Sequence, residues 1–210
     1  MPKFVICTAG NDLGQVMGTR DKKYVMGKTI EGSLLRSKLL RIGVFCLMSL
    51  SLISWDKVSK ELAKTHLRDQ PMRSYLDDTI RLLYVENTGA AMSFADSLNP
   101  RLGFWLLGIL PLAILLGLFA YVIMHVQEMR TARMIGFSLI FAGGMGNILD
   151  RLVFDRHVTD FMNLGIQNIR TGIFNFADLW ITIGVISLLV WRETRPGSTD
   201  QPIDSTGQHA

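Results

Sequence analysis

Residues 102–124 read LGFWLLGILPLAILLGLFAYVIM and carry no charge. A helix needs roughly 20 mainly apolar residues to cross the hydrocarbon core of a bilayer, so this stretch predicts a membrane span. Pro111 lies inside it, which a lipid-buried helix accepts where neighbours satisfy the freed carbonyl. Working outward, residues 134–153 begin apolar and then turn small and polar at Gly143-Gly144-Met145-Gly146-Asn147. Residues 174–191 form a further apolar block that stops at Arg192. On the N-terminal side, Ile42–Trp55 with its Leu39-Leu40 entry is just long enough to span. A secretory signal peptide is the rival reading of that block, but Asp56-Lys57-Val58-Ser59-Lys60 follows it, not a small-residue cleavage site.

The expected fold class is therefore a mainly α membrane protein with four transmembrane helices, at about 39–55, 102–124, 134–153 and 174–191. Residues 1–38 read as a basic, weakly patterned tail, 39–192 as one membrane domain and 193–210 as a second tail. Hydrophobic residues make up 49% of the chain, an ordinary share, but they are gathered in blocks with the charges between them. The net charge of +4 comes from basic residues flanking those blocks. They suit anionic headgroups, and with no basic patch interleaved with aromatics, nucleic acid is not an expected partner. The two cysteines, Cys7 and Cys46, form no CxxC or Cys/His cluster, so neither a disulfide framework nor a metal site is expected.

Four spans put both termini on one side. The N-terminal tail, the loop with Arg130 and Arg133 and the tail with Arg195 then share the cytoplasmic side by the positive-inside bias. Connections 56–101 and 154–173 face outward. Within the first, residues 74–85 mix β-branched, aromatic and charged side chains in a pattern that predicts short strands, and Glu61–Leu67 predicts a short interfacial helix. Asp77, Asp78, Asp96 and Asp155 read as solvated surface charges. Trp55, Trp105, Trp180 and Trp191 read as interfacial anchors.

Five polar clusters fall near the outward ends of the spans: Asp56–Lys60, Asn87-Thr88-Gly89-Ala90-Ala91, Gly146–Arg151, Val158-Thr159-Asp160-Phe161 and Phe174-Asn175-Phe176-Ala177-Asp178. Charge in a membrane segment is expensive, so these acids call for a reason. The histidines share no motif with a serine, and neither HExxH nor a Walker loop occurs. Carboxylates remain. Two that share one proton can divide base and acid work on a water molecule, without metal or cofactor. Asp160 and Asp178 are the candidates, each in an apolar setting. A second reading stands beside this one: Asp178 precedes a span and could simply cap it.

In order and spacing, the five clusters resemble those of the lipoprotein signal peptidase (signal peptidase II) family, from about residue 40 to 191. That resemblance implies an extracytoplasmic β-cradle, a small interfacial helix and no cofactor. It implies an aspartyl endopeptidase that cuts prolipoproteins just before the diacylglyceryl-modified cysteine. It makes Asp160 and Asp178 the catalytic pair and Asn147 and Asn175 their polar supports. Asp150 and Arg151 become an ion pair that steadies the site and meets substrate backbone. Asn87 becomes the cradle's substrate contact, with Gly89, Asp56 and Lys60 in the matching motifs. Implied partners are diacylglyceryl-modified prolipoproteins, membrane lipids and inhibitors such as globomycin. A monomer in the bacterial inner membrane is expected. The chain departs from the pattern at Lys57, Thr88, Met92 and Leu179. A carrier or channel would need charges near mid-span, and a presenilin-type protease would need Gly-x-Gly-Asp, which is absent.

Overall fold

The computed structural model describes residues 19–88 and 99–190. Gly89, Ala90, Ala91, Met92, Asp96, Trp191 and both chain ends, with Cys7, lie outside the described residues. Contacts divide the chain into two units, residues 1–44 and 45–210.

Helix α1 runs from Thr19 to Leu67. It therefore begins well inside the stretch that reads as a tail, where lysine, arginine, leucine and glutamate are good helix formers. In the first unit it exposes Leu34, Leu35, Leu39 and Leu40. At its other end it continues through 61–67 without a break. A separate interfacial helix there is not found. No glycine or proline interrupts 55–67, and Lys60 bonds back to Asp56 four residues earlier, a spacing that supports helix.

Two strands follow, β1 (Arg73–Tyr75) and β2 (Ile80–Asn87). The turn between them is built from Leu76, Asp77 and Asp78, all at positive φ, and closes with Thr79 N–H donating to the Leu76 carbonyl at 2.9 Å. Asp78 is a surface charge, as its sequence position suggests, but a paired one. Arg81, Ser74 and Arg170 all donate to it, and these bonds hold its carboxyl below the usual range. Next come α2 (Pro100–Phe104), a π-helical turn (Trp105–Ile109) and α3 (Leu110–His125). Pro111 has no N–H to give the preceding turn, and the wide turn, with Leu110 N–H bonded to the Trp105 carbonyl, sits immediately before it.

Helix α4 (Thr131–Val153) packs between α3 and α5 (Phe176–Val190), and β3 (Val158–Ile166) and β4 (Ile169–Arg170) lie between α4 and α5 in sequence. The strands form one antiparallel sheet in the order β1-β2-β3-β4. Segments Glu31–Leu67, Leu102–His125 and Thr131–Val153 are long and apolar enough to cross a membrane, whereas Phe176–Val190 is a shorter apolar helix. Their outer faces carry exposed Leu47, Ile114, Leu116 and Leu189, the surface that lipid tails would cover.

Two packing devices hold the second unit together. Phe45 of α1, fully buried, meets Phe119 of α3 and Phe141 of α4 with ring centroids 6.1 and 5.7 Å away. Along α4, small residues bring the α5 backbone close: a Cβ at Gly143 would run into the Ala177 carbonyl and Ile181, and one at Gly184 would lie 2.8 Å from the Gly136 carbonyl. Gly143→Ala should therefore destabilise the protein by about 1–3 kcal/mol, the usual cost of overpacking. Gly117, whose missing Cβ has nothing within 4 Å, should accept alanine without loss. Thermal unfolding in detergent checks this, and equal midpoints for the two variants would contradict the close approach.

Candidate active site

The site forms where the sheet meets the beginning of α5. Phe174 pairs with Met162 of β3: Phe174 N–H donates to the Met162 carbonyl at 2.8 Å, and Met162 N–H returns a bond at 2.9 Å. That bridge sets Asn175 beside β3 just before the chain turns into α5. Asn175 then caps the helix in a reciprocal pair. Its Oδ1 accepts from Asp178 N–H at 3.0 Å, and its own N–H donates to Asp178 Oδ2 at 3.2 Å. From its sequence position Asp178 is expected to precede and cap the helix; instead Asn175 is the cap, and Asp178, in the first turn of α5, returns the second bond, which does not compete with a chemical role. The cap fixes where the carboxylate points.

The remaining amide of Asn175 reaches the other aspartate. Its Nδ2 donates to Asp160 Oδ1 at 2.6 Å. Asp160 lies in β3 opposite Val85 of β2, so Asn87, two residues along on the same face, stands diagonal to it. Asn87 Nδ2 donates to Asp160 Oδ2 at 2.9 Å. Asn147 of α4 donates to Asp178 Oδ1 at 2.8 Å. From the described residues each carboxylate therefore accepts two N–H bonds, and one residue, Asn175, serves both. Asp160 is 3% exposed, and its carboxyl is pushed up to about 6. Burial is the main cause and the nearby Asp178 charge adds to it, while the two asparagine amides pull the other way.

Behind the carboxylates lies a charged cluster. Lys60 Nζ donates to Asp56 Oδ2 at 2.6 Å, Asp150 Oδ2 at 2.6 Å and Asn147 Oδ1 at 3.0 Å. By occupying the Asn147 oxygen, Lys60 turns the Asn147 amide nitrogen toward Asp178. Asp56 Oδ1 accepts the Ala177 N–H at 2.9 Å, so a further free donor of α5 is satisfied from α1. Lys57 binds the second oxygen of Asp150.

Asp150 and Arg151 are not the ion pair expected from their adjacency. Consecutive helix residues point about 100° apart, and Asp150 faces Lys57 and Lys60 instead. Arg151 is half-buried, and its Nε has no hydrogen-bond partner among the described residues. Trp180 is packed and not an open anchor, with its ring stacked on Phe176 at 5.6 Å and its Nε1 buried.

The structure thus brings together Asp56, Lys60, Asn87, Asn147, Asp150, Asp160, Asn175 and Asp178, with Arg151 alongside, from α1, β2, α4, β3 and α5. Gly89 falls outside the described residues. Sequence reasoning missed the pairing of Lys57, which registered only as a departure, and the Ala177 N–H, since a backbone donor leaves no trace in residue type.

A scaffold of helices long and apolar enough to cross a membrane, with carboxylates and carboxamides converging where the sheet meets α5, fits a class of candidate hydrolases. Residues 48–193 match the family described as signal peptidase (SPase) II. Among similar proteins, the lipoprotein signal peptidase of Borreliella burgdorferi (strain ZS7) is 33% identical over 147 residues, covering 68% of this chain and 85% of that protein. The lipoprotein signal peptidase of Streptococcus agalactiae serotype Ia is 29% identical over 154 residues, covering 72% and 94%. A solved structure described as a bacterial membrane enzyme, obtained by the in meso method at 1.9 Å, superposes with a TM-score of 0.60 at 27% identity, covering 70% of this chain and 91% of that one. The chain belongs to the signal peptidase II family, a family of peptidases.

The charged cluster yields a stability prediction. Lys60→Met leaves Asp56 and Asp150, 0% and 2% exposed, short of their shared cation. Breaking a buried pair from one side costs about 3–5 kcal/mol. Denaturation in detergent should show a loss of that size, and a loss below about 1 kcal/mol, typical of a surface pair, would mean the cluster is not sealed.

Proposed function

We propose that this protein is an aspartic endopeptidase that removes the signal peptide from prolipoproteins, cutting on the N-terminal side of the diacylglyceryl-modified cysteine. The observation that carries this reading is Asn175, whose backbone and amide tie Asp160 and Asp178 into one unit. Prolipoproteins are the substrates its relatives' names imply.

In the proposed reaction the pair holds one proton, drawn toward buried Asp160. The ionised carboxylate takes a proton from a water as its oxygen attacks the scissile carbonyl carbon, and the protonated one gives its proton to the carbonyl oxygen. The tetrahedral intermediate then collapses: the proton taken from water passes to the nitrogen, the C–N bond breaks and the amine leaves, while one hydroxyl of the intermediate returns its proton to the ionised carboxylate as the carbonyl re-forms. Arg151, with an Nε that no described residue bonds, is proposed to hold substrate backbone. Asn87, and Gly89 in the same motif, are assigned to the substrate side. Globomycin-like inhibitors would compete there.

We place α5 as a fourth crossing. Both termini are then cytoplasmic, the sheet is extracytoplasmic at the outer face of the inner membrane, and the protein acts as a monomer. The basic tail and the Arg130–Arg133 loop support this orientation.

Purified protein should cleave a diacylglyceryl-cysteine precursor and leave the unlipidated precursor intact. Asp160→Asn and Asp178→Asn should each lower turnover by about 10³-fold or more, within the range for lost acid–base catalysis, while unfolding still shows a folded protein. Near-normal turnover in either variant would remove the mechanism.

The pH dependence has a definite sign. A proton retained by the pair is lost as pH rises through about 6, so kcat/KM should decline on that side. Asn87→Ala deletes a donor that favours the ionised form of Asp160. The alkaline limb should then move to higher pH, and movement to lower pH would show that Asn87 acts otherwise.

A further inference from the structure

Four charged side chains sit beside the aspartate pair without belonging to it: Asp56, Lys57, Lys60 and Asp150. Their bonding is closed. Asp150 takes Lys57 on one oxygen and Lys60 on the other; Asp56 takes Lys60 on one oxygen and the Ala177 N–H on the other. Two cations balance two anions, and three of the four side chains are 5% exposed or less. Lys57 is the exception. Its side chain is 32% exposed and lines a cavity of about 540 Å³ at the end of α1.

The cluster is not insulated from the site. Lys60 holds the oxygen of Asn147, whose amide holds Asp178, and the Lys60 charge is felt at Asp160. Without Lys57, Lys60 would be left as the one cation bonded to two buried carboxylates. Arg151 cannot fill the gap, because as the residue after Asp150 on a helix it points elsewhere. The carboxylate charges that reach it are first those of Asp178 and Asp160.

We propose that Lys57 is a positioning residue for hydrolysis. It completes a neutral cluster with Lys60, Asp56 and Asp150, which keeps excess negative charge away from Asp160 and Asp178 and leaves Arg151 to face the reacting groups. This rests on the aspartic peptidase reading above. Lys57 acts through Asp150, Lys60 and Asn147, the chain of bonds that ends on Asp178.

Other charges face Lys57. Glu61 and Lys64 come from its own helix, Glu86 and Tyr84 from β2, Asp150 from α4 and His157 from the segment after α4. The Tyr84 hydroxyl already donates to Glu86 at 2.6 Å, and His157 Nδ1 lies 2.9 Å from the Phe154 carbonyl. Lys64 stands over the Phe154 ring at 5.1 Å. The cations that bond Asp150 among the described residues are Lys57 and Lys60.

The test is the pH profile of kcat/KM for diacylglyceryl-cysteine precursor, measured on purified wild type and three variants. Lys57→Gln should move both limbs to higher pH by about 0.5–1 unit, the effect of one unbalanced charge at roughly 10 Å in a partly polar medium. Lys57→Arg, which keeps the charge, should restore the wild-type limbs. Lys57→Gln combined with Asp150→Asn removes one charge of each sign, and its limbs should return toward wild type even if its rate is lower. A purely structural lysine predicts the opposite order, with the double variant the more perturbed. Unmoved limbs in Lys57→Gln, or Lys57→Arg displaced as far as Lys57→Gln, would overturn the proposal. If instead wild type fails to cleave the precursor, or Asp160→Asn cleaves it normally, the fault lies with the peptidase reading and not with Lys57.

Discussion

The arrangement depends on the side chain and backbone of Asn175. A helix that starts in an apolar setting must satisfy its first N–H groups from somewhere, and an asparagine cap is one solution. Here the capping partner at the third helical position is Asp178, so the same bonds that end the backbone's deficit also aim a carboxylate. The leftover amide nitrogen donates to Asp160 and, at 3.3 Å, to the Asn147 oxygen. One residue thus solves a folding problem and sets the geometry of the proposed chemistry, and neither task can be relaxed without the other.

Around that residue, the rest of the fold supplies support at increasing distance. The Phe174–Met162 bridge fixes where α5 begins relative to the sheet. Asp56 reaches across from α1 to the Ala177 N–H, and the small residues of α4 let α5 lie close enough for Asn147 to bond Asp178. A Cβ at Gly146 would lie 2.8 Å from Asp56 Oδ2, so this glycine makes room for the buried acid. Charge is handled the same way. The buried carboxylates outside the proposed pair are met by lysines, whereas the bonds to Asp160 come from amides. Burial and the neighbouring Asp178 charge keep the proton on Asp160 to higher pH, and the amides that bond it oppose this less than an adjacent cation would, which suits acid–base chemistry near neutrality.

Much of this is legible in the residues, and the misses have physical causes. The apolar blocks announce helices, because lipid forces every backbone group to be bonded within its own segment. The polar clusters announce the site, since acids at such places are costly. Boundaries and partners are harder to read. The helical stretch ahead of residue 39 escapes because its mixed polar pattern carries no strong period. Polarity alone suggests a break before Glu61–Leu67, yet polarity does not stop a helix. Adjacency assigns Asp150 to Arg151, although helical geometry sends neighbours apart. Asp78 is the surface charge that the sequence suggests, but its pairing goes unread because Arg170, which bonds its carbonyl at 2.7 Å, is distant in sequence.

By itself the sequence determined that this chain has long apolar helices and which polar residues would be expensive to leave unpaired, because both follow from residue type and local spacing. Tertiary structure alone decided which of those residues meet. Asn87, Asn147, Asp160 and Asp178 come from four different elements, and their hydrogen bonds exist only once the sheet, α4 and α5 are packed. The division of Asp150 between two lysines, and the turning of Arg151 away from it, have the same origin: direction in space is a property of the folded backbone, and adjacency in the chain does not carry it.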